Sequence, residues 1–197
     1  MKGTFLKMIN KINILNLIKE HLSTFYLKDK TKKDNKRRDG KALFLFFIVP
    51  LFVSIIIVFL FGNMNDSLSN SLLTCLSILS PLMFGFFPFI YDLIDNDNIN
   101  PKSKFLIQEF KANVLFTMIL SFSALACILI WTLVNNNLDF LLYLKKDIVN
   151  NLSTGILLFL SGVIYYLLLC LGFHILMIIQ RFNFLINQYN KFKINNP

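Results

Sequence analysis

The chain has 197 residues, of which 55% are hydrophobic and only 16% charged, where soluble domains carry about 25% charged residues. That balance excludes disordered, collagen-like and disulfide-stapled proteins and disfavours an ordinary soluble enzyme. The net charge of +9 is lopsided: residues 1–41 hold 12 of the 20 basic residues and 4 of the 11 acidic ones.

In residues 5–27, Phe5, Met8, Ile12, Leu15, Ile18, Leu22 and Phe25 recur at spacings of three and four, which predicts one apolar helix face. Ile9, Ile14 and Leu17 fall off this stripe. An amphipathic helix lying on the inner leaflet is the first reading, and packing against a neighbouring subunit is the second. A basic linker follows over 28–41, with Lys28, Lys30, Lys32, Lys33, Lys36, Arg37, Arg38 and Lys41 diluted by three aspartates. These eight are candidate lipid- or partner-binding residues. An anionic lipid surface suits them, and an acidic soluble protein is the alternative. Nucleic acid is disfavoured, because no base-stacking aromatics are interleaved in the run.

Four apolar stretches follow, over 42–62, 72–91, 112–134 and 156–179, none containing Asp, Glu, Lys or Arg. Each approaches or exceeds the roughly 20 residues needed to cross a hydrocarbon core about 30 Å thick. About forty residues precede the first stretch and no small-x-small site follows it, so it reads as a retained anchor. The connections 63–71, 92–111 and 135–155 and the tail 180–197 hold zero, three, two and three basic residues. Eighteen basic residues therefore fall on one side and two on the other, which places both termini in the cytoplasm. The expected fold class is an all-α membrane protein: an arm over 1–41, four transmembrane helices within 42–179 and a cytoplasmic tail over 180–197. No internal repeat is visible, which disfavours a transporter of inverted repeats.

Helices in lipid associate through small residues and weak polar bonds. On the second span Thr74, Ser77, Pro81, Gly85 and Pro88 form such a stripe, and on the third Asn113, Thr117, Ser121 and Ala124 form another. Both are candidate packing faces, or faces lining a pore, and the two stripes can pack on each other. Pro50, Pro81 and Pro88 each remove a backbone hydrogen bond and predict bends. His174 is the ionisable side chain deep in a span. It reads first as a neutral histidine bonded to a neighbouring helix, with proton sensing and metal binding as alternatives. Asp92, Asp95 and Asp97 read as a solvated cluster balanced by Lys102, Lys104 and Lys111. Cys75, Cys127 and Cys170 are far apart within apolar runs, which is neither a zinc pattern nor a disulfide framework. There is no glycine-rich phosphate loop, Ser/His/Asp arrangement or HExxH. No catalytic residue, metal or cofactor is expected.

The second-span end LSILSPLMFGFFPFIYDLID and the fourth span with its tail, YYLLLCLGFHILMIIQRFNFLI, resemble small four-span membrane proteins of bacterial antiviral-defence operons, such as the membrane subunits of Kiwa systems. The resemblance covers the layout of the whole chain and supplies no catalytic residues. It implies a non-enzymatic, homo-oligomeric module of the inner membrane that confers phage resistance by sensing membrane disturbance or signalling to a soluble partner. The alternatives are an immunity protein against a pore-forming bacteriocin and a membrane-permeabilising pore.

Overall fold

The computed structural model describes residues 14–24, 26–28, 36–38, 40–88, 90, 101–136 and 148–195. They are helical apart from short turns and one small antiparallel strand pair. In chain order the elements are α1 (Ile14–Ser23), β1 (Tyr26–Lys28), β2 (Lys36–Arg38), α2 (Gly40–Phe61), α3 (Asp66–Phe84), α4 (Pro101–Asn136) and α5 (Ile148–Asn195). Four helical stretches are long and apolar enough to cross a membrane: Gly40–Phe61 (α2), Asp66–Pro88 (α3 and the turn after it), Lys104–Asn136 within α4 and Thr154–Asn187 within α5.

Among the described residues the four spans pack as a row. Their principal packing runs α2 on α5, α5 on α4 and α4 on α3, and α1 lies on α4. Two apolar clusters fill the row. One joins Leu76, Ala124, Ile128, Trp131, Leu157 and Ile164. The other joins Met83, Ile107, Phe110, Val114, Ile178 and Leu185, near the end that carries α1. In the second cluster Phe110 lies against Phe86 and Phe182, each with ring centroids 6.0 Å away. Beyond Phe46 and Phe47, many large apolar side chains of α2 face outward, with Phe59 88% exposed. Lipid rather than water is the solvent such a surface needs.

Local chemistry sets the element ends. Pro50 has no N–H to donate to the carbonyl four residues back, so the ordinary helical bond cannot form there. The helix responds with a π turn over Phe44–Ile48, in which the Val49 N–H bonds to the Phe44 carbonyl. The Cys170 thiol of α5 donates to the Phe46 carbonyl at 3.7 Å. α2 stops at Gly62, whose φ of 70° is one that L side chains rarely adopt. Asn65 then caps α3 by accepting from the Leu68 N–H at 2.8 Å. The connection is therefore a four-residue turn over 62–65, and α3 starts at Asp66 rather than at 72. Pro81 is accommodated inside α3. The helix gives way at Gly85, whose N–H turns back to the Leu82 carbonyl at 3.1 Å, one turn before Pro88.

At the other ends the helices outrun the expected spans. Residues 101–111 belong to α4 and 180–195 to α5, where the sequence suggested a loop and a tail. At about 1.5 Å per residue, α5 is roughly 70 Å long, more than twice the hydrocarbon thickness. The extensions hold together through buried Ile107 and Phe110 on α4 and Leu185 on α5. Beside them Arg181 donates to the Glu109 carboxylate at 3.1 Å. The arm differs as well. α1 ends at Ser23, whose hydroxyl donates to the Glu20 carbonyl, and Tyr26–Lys28 pairs with Lys36–Arg38 where a plain linker was expected. Phe5, Met8, Ile12 and Phe25 lie outside the described residues, as do Lys30, Lys32, Lys33, Asp92, Asp95 and Asp97.

A buried polar cluster between the arm helix and the bundle

α1 turns Leu17, Ile18 and His21 towards the bundle, and Thr24 follows in the turn after it. His21 is fully buried, Leu17, Ile18 and Thr24 are half-buried, and Lys19, Glu20 and Leu22 stay exposed. The expected apolar stripe is thus rotated. It centred on Ile18 and Leu22, whereas the docked face centres on a histidine. This helix sits on its own chain's α4, a third position besides the inner leaflet and a neighbouring subunit.

His21 enters a cluster built by four helices. Its ring stacks on Phe116 of α4 with centroids 3.9 Å apart and planes 4° from parallel. Its Nδ1 lies 2.8 Å from Asn113 Oδ1, and its Nε2 lies 3.1 Å from His174 Nε2. The His174 Nδ1 lies 2.6 Å from the Cys170 carbonyl, within its own helix. The Thr24 hydroxyl donates to Asn113 Oδ1 at 3.4 Å. The π turn of α2 supplies the remaining wall: Phe46 and Phe47 approach the His174 ring edge-on, with centroids at 5.4 and 5.7 Å. Asn113, His21 and His174 are all 0% exposed. Asn113 Nδ2 is buried with no hydrogen-bond partner among the described residues.

His21 lies outside the four spans, and its basicity reflects the cluster. Burial first, and then the charge of His174, push its pKa down from the ordinary 6.5 to about 3, while the bond to Asn113 opposes the shift. At neutral pH it is an uncharged ring able to donate from one nitrogen and accept at the other.

The other sequence candidates fall into two groups. Asn113, Thr117, Ser121 and Ala124 are each 0% exposed and turned into the bundle. Thr117 donates to the Asn113 carbonyl at 2.8 Å, Ser121 donates to the Met118 carbonyl at 2.9 Å, and the Ser121 and Ser80 hydroxyls are 3.3 Å apart. A pore-lining face would need these hydroxyls open, and here they are enclosed by the protomer. In contrast Thr74, Ser77, Pro81, Gly85 and Pro88 are all exposed. The two stripes therefore do not meet. α3 turns Ser69, Leu76, Ser80 and Met83 inward instead, with Ser69 3.1 Å from Thr132. Lys41 is exposed at the start of α2, and the backbones of Lys28, Lys36, Arg37 and Arg38 lie in the strand pair.

His21 escaped the sequence reading, which treated His174 alone. Its signal was present in Leu17, Ile18, His21 and Thr24, which share a second helical face at spacings of three and four. Among the described residues no group of three or more His, Cys, Asp or Glu side chains could hold a metal ion. No known protein family, curated protein or solved structure matches the chain.

Proposed function

We propose that this chain is a non-enzymatic, homo-oligomeric module of the bacterial inner membrane that serves antiphage defence, passing a disturbance of the bilayer to a soluble cytoplasmic partner through its basic arm. The observation that carries this reading is the docking of α1 on the bundle through His21, fully buried against Asn113, Phe116 and His174. A shift of α4 against α5, or of α2 against α5, changes the walls of that site, so movement within the bilayer is felt by the arm. The excess of basic residues on one set of connections supports cytoplasmic termini. The basic segment 28–41 supports an anionic leaflet or acidic protein as the arm's counterpart. The exposed stripe from Thr74 to Pro88 supports a seam between copies. The antiviral role rests on the resemblance of layout.

The test is a phage challenge of cells carrying the complete operon, with chains deleted for residues 1–41 or altered at Asn113→Leu, and with membrane insertion verified. Loss of protection in both supports an arm coupled to the bundle. Undiminished protection in both overturns it.

A further inference from the structure

The chain of contacts runs from Asn113 Oδ1 through the four ring nitrogens of His21 and His174 to the Cys170 carbonyl oxygen. Both ends are acceptors, so three contacts require three N–H groups, and two neutral imidazoles bring only two. There are two ways to close the count. Either the pair carries one extra proton, held on His174, or the Asn113 amide turns over. In the turned form Nδ2 donates to His21 Nδ1, His21 Nε2–H donates to His174 Nε2, and His174 Nδ1–H donates to the Cys170 carbonyl. This form uses both Nδ2 hydrogens, one on His21 Nδ1 and one on the Thr24 hydroxyl, which then accepts, and it moves Oδ1 into the position that has no partner among the described residues. The site thus accommodates no extra proton or one. It cannot accommodate two, because two N–H groups would then face each other across 3.1 Å.

We infer that His21 and His174 form a proton-operated latch, in which an uncharged His21 holds the arm helix on the bundle and protonation of His21 releases it. The inference rests on the arm as the moving part in the reading above and names its stimulus: protons reaching the inner face of the bundle. Other charges near the pair act in the same sense or lie apart. Arg181 of α5 opposes a charge on His21, and its partner is Glu109 of α4. Cys170 of α5 offers its thiol to Phe46, and Tyr166 is bonded to Cys170. Lys19 and Glu20 on α1, Lys41 on α2 and Lys104 on α4 are exposed, and Lys111 is half-buried.

The direction follows from linkage. Released, His21 has its ordinary pKa of 6.5, and docked its pKa is about 3. Protons therefore favour the released form. The docking equilibrium is at its strongest above about pH 6.5 and weakens about tenfold per pH unit below it, until the docked pKa is reached.

The chain has only two histidines, so the test needs no assignment strategy. The full-length protein, labelled with ¹⁵N-histidine and held in nanodiscs of zwitterionic and anionic lipid, is followed by NMR from pH 8 to 4.5. Amide-exchange protection of residues 14–23 is measured in parallel and normalised to intrinsic exchange rates. The expected result is a scalar coupling between the two Nε2 nuclei at pH 7.5, lost on acidification, with α1 protection at pH 5.5 about tenfold below its value at pH 7.5. His21→Phe, which keeps an aromatic ring on Phe116, should hold a pH-independent protection. Two solvated imidazoles titrating separately near 6.5 without coupling would overturn the latch, as would wild-type protection that does not change with pH. The two readings fail separately: a partner-binding arm whose docking ignores pH refutes the latch alone.

Discussion

Replacing Glu109 by Gln tests how the helical extensions beyond the spans expected from sequence are held together. The carboxylate meets the Arg181 guanidinium at 3.1 Å, with the two side chains 18% and 20% exposed. At an effective dielectric of 20, unit charges at that separation attract by about 5 kcal/mol. Desolvation cancels most of this, so the pair as a whole adds little to stability. Removing one partner is different, because Arg181 is left in a site only one-fifth open to water. Fully buried pairs cost 3–5 kcal/mol when broken in this way and exposed pairs 0–1, which places E109Q at about 2 kcal/mol. For a chain of this length that lowers the melting temperature by roughly 5 °C. The assay is thermal unfolding of the full chain in nanodiscs, for E109Q, Arg181→Met and the double variant. The double variant should recover more than half of the loss, since an apolar pair leaves no charge behind, and 0.5 M salt should change little, since a pair this enclosed is weakly screened. A single variant as stable as the wild type, or a double variant whose losses simply add, would refute the reasoning.

Two further perturbations probe the spans. Gly62→Ala should cost about 1–2 kcal/mol, read by the same unfolding assay: a Cβ there meets nothing within 4 Å, so the penalty is the positive φ alone. Ser121→Ala should cost less than about 1 kcal/mol, in line with interhelical hydrogen bonds in lipid, and should leave ion conductance of reconstituted vesicles unchanged, because the hydroxyl faces Ser80 and the Met118 carbonyl inside the protomer.

The four spans were legible because a charge-free apolar run of this length has few other homes: four long apolar helical stretches are present, although the expected second span, 72–91, runs past the end of α3 at Phe84. Their ends were less legible. The extension of α4 carries Ile107 and Phe110 and that of α5 carries Phe182 and Leu185 at helical spacing, but interspersed lysines, asparagines and glutamines made these stretches read as loop and tail. The inward face of α3 was misread for a physical reason. Ser69, Leu76, Ser80 and Met83 recur as regularly as Thr74, Ser77, Pro81 and Gly85, and in lipid no hydrophobic effect separates one face from the other. The third-span stripe was found as a set because small polar residues at four-residue spacing suit close packing, and all four members are buried. His21 was hidden by polarity: a histidine on an arm helix reads as solvent-facing until a partner such as Asn113 is known.

The central claim is that the arm helix is docked on the bundle rather than free on the bilayer. The direct measurement is the distance between nitroxide labels at Lys19 and Lys104, both exposed, in the full chain in nanodiscs. Cys75, Cys127 and Cys170 are replaced by serine, which keeps a donor for the Phe46 carbonyl. A single narrow distance distribution at pH 7.5, broadened by Asn113→Leu, is the predicted result. A broad distribution in the otherwise native chain, unaffected by Asn113→Leu, would contradict it.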